Sequence, residues 1–288
     1  MQISSLFKTG GPVLSFEIFP PKGDLSASRV HEVLGALAPL QPSFVSVTCS
    51  AGGLGDSTRT IDIACDAQRS FGLTALAHQT CAGFTRKGVQ ENIERLRAAG
   101  VENVLALRGD AAAADGPLAY PHADGLIGAL CEAGLCVGAA CYPEGHIDCR
   151  SLDDDLRHMK KKEDAGAAFF VSQLFFDNQY FFHFLERARA AGVRAPICAG
   201  VMPILSKSQI SRMIFLCGAS LPAAVVRLLN RYGSDEAALR SAGIDMAAAQ
   251  VLDLLSEGVD GVHLYTMNHP DIALREIGYL QEHGYVRA

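Results

Sequence analysis

The chain has 288 residues, of which 49% are hydrophobic and 19% charged, and this length is enough for one globular domain with a full hydrophobic core. Its net charge of −6 arises from 25 basic and 31 acidic residues that are interleaved along the sequence, which argues against partners such as nucleic acid or an anionic membrane. The N-terminus lacks a secretory leader pattern, and no segment approaches ~20 uninterrupted apolar residues. We therefore expect a single cytoplasmic domain, residues 1–288, that acts on small molecules.

Eight short apolar runs recur along the chain. They are rich in Val, Leu, Ile and Phe without clean alternation of polar and apolar residues, a pattern typical of parallel strands buried on both faces. The predicted strands are 13–19, 44–50, 74–80, 103–109, 136–143, 169–176, 196–203 and 261–268.

Amphipathic helical patterns lie between these runs. Val89, Ile93 and Leu96, for example, share one helical face and precede Gly100, which suits the position just after a helix. Repeated βα units of ~30 residues predict right-handed crossovers, and eight of them predict closure into a (β/α)8 barrel.

The interval before the eighth run is the longest and contains two further helical patterns, at 221–231 and 235–257. The predicted fold class is therefore α/β, a (β/α)8 TIM barrel with extra helices between strands 7 and 8. The alternative is an open doubly wound sheet, which would place a dinucleotide on a glycine-rich loop after an early strand. Residues 51–55 (AGGLG) do not match GxGxxG, and no GxxxxGK[ST] occurs, so the sequence favours the barrel.

Polar residues mark the carboxyl ends of these runs, where a barrel enzyme carries its chemistry. Glu17 lies between Phe16 and Ile18, where an ionised carboxylate would be costly unless it is paired or protonated. A carboxyl group held protonated suits a general acid, whereas pairing with Arg108 or hydrogen bonding to the backbone would be a structural role. The other polar residues near run ends are Thr48, His78, Gln79, Arg108, Asp110, Tyr142, Glu144, Gln173, Tyr265 and Asn268.

The helix after the fifth run carries Asp155, His158 and Lys162 at i, i+3 and i+7, which places the three side chains on one stripe. One ligand could contact all three, although a solvated basic face that includes Lys160 and Lys161 is the simpler interpretation of the spacing. We predict no metal site, because His78 has no His, Asp or Glu at i+2 or i+4 and the cysteines between 131 and 149 form no CxxC pair.

The first run belongs to the string Ser15–Lys22 (SFEIFPPK), which resembles the first-strand motif of the methylenetetrahydrofolate reductases. Similar blocks follow in the same order nearly to the end of the chain: FVSVT at 44–48, LALRGD at 105–110, YPE at 142–144 and QLFFD at 173–177. The resemblance implies a barrel that binds FAD without a Rossmann motif. It also implies reduction of 5,10-methylenetetrahydrofolate to 5-methyltetrahydrofolate with NADH or NADPH, in one-carbon metabolism and methionine biosynthesis.

The resemblance further implies roles for individual residues. Glu17 would be the acid that assists opening of the folate five-membered ring to an iminium ion, and the charge of Asp110 would tune the flavin and favour that cation. Gln173 would serve folate and nicotinamide in turn, which implies ping-pong kinetics, and Gln209 and His269 would be further substrate contacts. The implied FAD contacts are Thr48, His78, Arg108, Gly109, Asp110, Tyr120, Tyr142, His146, Asp155, His158, Lys161 and Lys162.

The chain departs from the family pattern at a few of these positions. Met213 stands where some relatives have a phenylalanine that stacks on substrate, His269 where an arginine can occur, and His158 where asparagine is found. These departures affect the folate tail contacts and the preferred nicotinamide. The resemblance also implies a homo-oligomer.

Two alternative functions are compatible with a barrel of this kind. One is another FAD-barrel oxidoreductase, such as a proline dehydrogenase-like enzyme, and the other is a non-catalytic flavin- or folate-binding barrel. Glu17 argues against the first, because amine oxidation needs no ring-opening acid. The joint presence of Glu17, Asp110 and Gln173 argues against the second.

Overall fold

Eight parallel strands form the centre of the protein. The computed structural model describes residues 1–21, 27–49, 57–109 and 119–286. The strands pair in chain order and the eighth pairs with the first, so the sheet closes on itself. They are β1 (Val13–Ile18), β2 (Phe44–Val47), β3 (Ala75–Thr80), β4 (Asn103–Leu107), β5 (Cys136–Cys141), β6 (Phe169–Ser172), β7 (Ile197–Val201) and β8 (Gly261–Tyr265). The predicted (β/α)8 TIM barrel is confirmed.

Helices surround this barrel. They are α1 (Ala27–Leu37), α2 (Thr58–Phe71), α3 (Arg86–Ala98), α4 (Ala123–Glu132), α5 (Leu152–Asp164), α6 (Asn178–Ala190), α7 (Lys207–Cys217), α8 (Ala223–Tyr232), α9 (Glu236–Ser256) and α10 (Pro270–Glu282). Helices α8 and α9 are the extra helices predicted between strands 7 and 8. Among the residues with described coordinates, no helix is long and apolar enough to cross a membrane.

Several strands end earlier than the apolar runs that predicted them. The sixth run was expected to reach residue 176, but β6 ends at Ser172. Phe175 lies beyond the strand, is fully buried, and stacks on Phe181 with ring centroids 5.1 Å apart. The apolar pattern reports burial, and buried residues in a βα loop satisfy it as well as strand residues do.

Local signals set the helix ends. The Thr85 hydroxyl accepts a hydrogen bond from Gly88 N at the start of α3, which satisfies one of the free amides of the first turn. Gly100 follows α3 with a φ of 71°, a left-handed conformation that costs glycine little. The predicted role of Gly100 is confirmed.

Alternation along β1 determines what faces the barrel interior. Val13 belongs to the cluster that fills the barrel, whereas Phe16 and Ile18 belong to the cluster between strands and helices. Because successive side chains of a strand point to opposite faces, Ser15 and Glu17 share the inward direction of Val13. Glu17 is the last of the three, so it lies at the carboxyl end of the barrel.

Candidate active site

Glu17 lies among polar side chains from three neighbouring strands. Its Oε2 atom is 3.6 Å from His78 Nε2 and 3.5 Å from His263 Nε2, and the Ser46 hydroxyl donates to it at 3.4 Å. The side chain is 17% exposed, so the carboxyl group is partly open to solvent. Arg108 pairs instead with Asp148 at 2.6 Å, and the predicted alternative of a Glu17–Arg108 pair is wrong.

His78 faces Glu17 as a neutral imidazole. Burial lowers the pKa of His78 to about 4, although the nearby charge of Glu17 acts in the opposite direction. Its Nε2 atom has no hydrogen-bond partner among the described residues. Glu17 therefore has a weakly basic, uncharged neighbour on this side at neutral pH.

His263 is a site residue that the sequence analysis missed. It lies in the middle of β8, is fully buried, and shares the inward direction of Gly261 and Tyr265. Position at the carboxyl end of a run does not select His263, because it lies in the middle of the eighth run. The available signal was alternation, because a histidine two residues before Tyr265 must face the same side of the strand.

A cleft opens at the carboxyl end of the barrel, between the ends of β4 and β5 and helices α4 and α5. Its space is about 790 Å³ when the open solvent at its mouth is included. The lining residues are Ala106, Leu107, Arg108, His122, Ala123, Asp124, Ala140, Tyr142, His146, Asp148, Cys149, Asp155, His158 and Lys162.

The three-residue stripe of α5 faces this cleft, with Asp155, His158 and Lys162 all in its lining. Lys162 Nζ donates to the Ala140 carbonyl at 2.8 Å and lies 5.5 Å from the centroid of the Tyr142 ring. Burial lowers the pKa of Lys162 and raises the pKa of Asp155, and each group opposes the shift of the other. Lys162 is thus a cation held at the cleft wall.

The simpler interpretation of the lysine run as a solvated basic face is wrong for Lys162. Lys160 pairs with Glu163 at 3.1 Å outside the cleft. Lys161 is exposed and is absent from the cleft lining. Lys162 is seven residues after Asp155, about two helical turns, so the two side chains lie on the same face of α5. Lys160 and Lys161 lie on other faces of the helix.

Several groups in the cleft and next to it would suit FAD. Gly109 has a φ of 81°, and a Cβ there would lie 3.0 Å from Ala82 Cβ and 3.1 Å from Thr80 Cβ, so no larger residue fits without movement. Lys162 and Arg108 supply positive charge for a pyrophosphate, and Tyr142 supplies a flat apolar surface. These residues fit the cofactor.

Of the other predicted cofactor residues, His146 lines this cleft, whereas Thr48, His78 and Tyr120 are not among its lining residues. His146 packs edge-on against Tyr142 at 4.6 Å, and its backbone N donates to Asp155 Oδ2 at 3.0 Å. Tyr120 is half-buried, 5.3 Å from the Arg86 guanidinium. Thr48 is half-buried just after β2. Asp110 lies outside the described residues, as does the glycine-rich segment 51–55.

The predicted substrate residues are not among the lining residues of the cleft. Gln173 follows β6, and its Oε1 accepts from Leu174 N at 2.9 Å. Gln209 uses its amide within its own loop, accepting from Leu205 N at 2.7 Å and donating to the Pro203 carbonyl at 3.2 Å. His269 is exposed at the N-terminus of α10. Across residues 1–21, 27–49, 57–109 and 119–286, no group of three or more His, Cys, Asp and Glu side chains could hold a metal ion.

The architecture is shared with proteins of diverse chemistry. A Clostridium thermocellum protein, described as binding two copies of 5-methyl-5,6,7,8-tetrahydrofolic acid, superposes with a TM-score of 0.72 at 12% identity, covering 99% of both chains. A tryptophan synthase α-subunit from Pyrococcus furiosus superposes with a TM-score of 0.57 at 13% identity, covering 94% of this chain and 98% of its own. At such identities the similarity establishes the fold alone.

Sequence comparison is more specific. The Escherichia coli 5,10-methylenetetrahydrofolate reductase is 30% identical over 93% of this chain and 91% of its own length. The Arabidopsis thaliana methylenetetrahydrofolate reductase (NADH) 1 is 31% identical over 93% of this chain and 48% of its own, so the chain spans about half the length of the plant relative. The methylenetetrahydrofolate reductase family model matches residues 2–278. The chain therefore belongs to the methylenetetrahydrofolate reductase family.

Proposed function

We propose that the protein uses FAD to reduce 5,10-methylenetetrahydrofolate to 5-methyltetrahydrofolate, with NADH or NADPH as the hydride source. The observation that carries this proposal is the position of Glu17. Its carboxyl group is at the barrel mouth, within 3.6 Å of two imidazoles, and the same end of the barrel carries the cleft whose residues would suit FAD. This arrangement suits a reaction that needs a proton and a hydride at neighbouring atoms of one substrate.

Glu17 is the proton donor in this proposal. Its O–H bond breaks as the proton passes to N10 of the folate, and the bond between N10 and the methylene carbon breaks at the same stage. The remaining electron pair of N5 then forms the iminium double bond to that carbon. Because His78 is a neutral imidazole, it does not compete as a proton donor at neutral pH.

The cleft residues hold the cofactor in place. Lys162 and Arg108 offer positive charge, Tyr142, His146 and His158 offer rings, and Asp155 fixes the His146 backbone. When bound there, FAD would take the hydride from the nicotinamide and pass it to the methylene carbon. Asp110, in the family motif at the end of β4, is proposed to tune the cofactor through its charge.

Gln173, Gln209 and His269 are proposed to bind the folate and the nicotinamide in one shared pocket. A shared pocket requires one substrate to leave before the other enters, which gives ping-pong kinetics. Membership of the methylenetetrahydrofolate reductase family supports a folate here, and the plant relative's name supports NADH. We further propose that the protein is cytoplasmic and forms a homo-oligomer. Analytical ultracentrifugation tests the oligomeric state.

An anaerobic absorbance titration of the purified protein tests this function. NADH or NADPH should bleach the flavin band, and 5,10-methylenetetrahydrofolate should restore it. Bleaching that folate does not reverse would move the assignment to another FAD-barrel oxidoreductase, such as a proline dehydrogenase-like enzyme. A protein that binds no FAD would support the non-catalytic alternative.

A further inference from the structure

A chain of hydrogen bonds runs from the interior of the barrel to Glu17. His263 Nδ1 is 2.7 Å from Ser15 Oγ, and His263 Nε2 is 3.1 Å from Ser46 Oγ. Ser46 Oγ is in turn 3.4 Å from Glu17 Oε2. Ser15, Ser46 and His263 are each at most 1% exposed, so these groups exchange hydrogen bonds with one another in place of water.

One tautomer of this imidazole satisfies both contacts of Ser15. In it the Ser15 hydroxyl donates its single proton to the Val262 carbonyl at 3.2 Å and accepts from His263 Nδ1 at 2.7 Å. The opposite nitrogen, Nε2, is then the only atom of the ring whose proton can change.

The Ser46 hydroxyl has two alternative acceptors. It can donate to His263 Nε2 while Glu17 keeps its own proton. It can also accept from a protonated Nε2 and donate to the Glu17 carboxylate. The two arrangements differ by one proton moved between Glu17 and His263, and only the serine hydroxyl has to rotate.

The imidazole ring itself cannot turn away. Phe44 stacks on it at 5.8 Å with an interplanar angle of 22°, and Tyr265 meets it edge-on at 5.5 Å. Packing from β2 and β8 thus fixes the ring, and both nitrogens are bonded to serines. Because the ring is held in place, its Nε2 atom holds the Ser46 hydroxyl next to Glu17 Oε2.

We propose that His263, acting through Ser46, positions Glu17 and shares its proton during the folate half-reaction. This proposal rests on the proposed function. His263 is a positioning residue, since the described contacts connect it to Glu17 and not to the cleft. When Glu17 has given its proton to the substrate, solvent at the partly open carboxyl supplies the next proton. With that proton on His263 Nε2, the Ser46 hydroxyl accepts from the imidazole and donates to the Glu17 carboxylate.

The other titratable groups around Glu17 do not duplicate this role. His78 on β3 has a pKa lowered to about 4 by burial and remains neutral. Burial, with the charge of Glu17 as a further cause, raises the pKa of Tyr265 on β8 well above its usual value. The Tyr265 hydroxyl donates to the Ser172 carbonyl at 2.8 Å. It therefore stays protonated, and its proton is directed to Ser172 and not to Glu17.

The test measures the two half-reactions separately by anaerobic stopped flow from pH 5.5 to 9, in wild type, His263→Gln, Ser46→Ala and Cys198→Ala. We expect His263→Gln to slow reoxidation by methylenetetrahydrofolate by about 10- to 100-fold. The alkaline midpoint of its pH profile should rise by about one unit, because the carboxylate loses the protonated imidazole behind its Ser46 donor. Ser46→Ala should shift the midpoint in the same direction. Reduction by NADH should stay within about twofold in both.

Cys198→Ala controls for packing, because Cys198 is fully buried inside the barrel but makes no contact with Glu17 among the described residues. A His263→Gln profile that is uniformly lower with an unchanged midpoint, in a protein that melts like wild type, would overturn the proposal. If His263→Gln does not fold, an unchanged midpoint in Ser46→Ala would overturn it. Absence of folate reoxidation in wild type would instead reject the proposed function.

Discussion

The interior network beneath Glu17 and the cleft along α5 are both polar, but they are built in opposite ways. The network consists of two serines and an imidazole at most 1% exposed, joined by short contacts between uncharged groups. The cleft is open and carries the charges of Arg108, Asp155 and Lys162. Burial inside the barrel favours groups that share one proton, because a full charge there is expensive. The open cleft tolerates full charges, which suits an anionic cofactor.

The largest expected effect is on Glu17, where the network meets the substrate. Glu17→Gln should slow folate reduction by about 10²–10⁴-fold, because the amide cannot donate a proton to the leaving nitrogen. FAD content and reduction by the nicotinamide should stay within about twofold, since the cleft is untouched. Stopped-flow measurement of the two half-reactions checks this. Retained folate turnover would separate Glu17 from the acid role.

Glu276 on α10 shows what a buried carboxyl does without such a network. It is 3% exposed, Oε1 has no hydrogen-bond partner within the described residues, and burial raises its pKa to about 8. Between its unfolded value near 4.5 and about 8 the folded state binds the extra proton, so stability falls as pH rises through this window. Glu276→Leu should remove that slope and raise the free energy of unfolding by roughly 3–5 kcal/mol at pH 8.5.

Urea denaturation at pH 5.5 and 8.5 measures the effect at Glu276. Glu276→Gln is the matched control, because it keeps the shape but cannot ionise and should also lose the slope. If wild type and Glu276→Leu lose stability in parallel between the two pH values, Glu276 is not the source of the pH dependence.

Substitutions of Lys162 and of its neighbour Lys161 distinguish the effect of a lysine at the cleft wall on FAD affinity from the effect of net charge. Lys162→Ala should weaken FAD binding by about 10- to 100-fold, because a half-buried ammonium is lost, a contribution of roughly 1.5–3 kcal/mol. Lys161→Ala should change it less than about threefold, since an exposed charge acts through solvent. Fluorescence titration of apoprotein with FAD measures both. Equal effects would show that net charge, and not the wall position of Lys162, holds the cofactor.

The smallest effect is expected at Gly109, which lets the end of β4 approach β3. Gly109→Ala adds a Cβ 3.0 Å from Ala82 Cβ at a φ of 81°, a strain of roughly 1–2 kcal/mol. The melting temperature and the FAD affinity should both fall modestly. Gly128→Ala in α4 is the control, because its added Cβ meets nothing within 4 Å and alanine favours a helix. An unchanged melting temperature and FAD affinity in Gly109→Ala would show that the backbone at residue 109 adjusts to the added Cβ without cost.

The sequence predicted the strands of the barrel and the α5 stripe that lines the cleft. The eight apolar runs predicted all eight strands, and the helical period placed Asp155, His158 and Lys162 on the stripe that lines the cleft. The prediction overran the end of β6, since burial continues into the loop that holds Phe175. It also left open whether the α5 stripe bound a ligand or water, because helical phase defines a face but not what lies opposite.

By itself the sequence determined the order of the strands and helices and the family blocks, because these depend on local periodicity and composition. Only the tertiary structure brought Ser15 and His263, 248 residues apart, to 2.7 Å. That contact depends on β8 pairing with β1 when the barrel closes, and on the register that sets Ser15 opposite His263. Neither closure nor register follows from local preference, since both are decided by packing over the whole ring of strands.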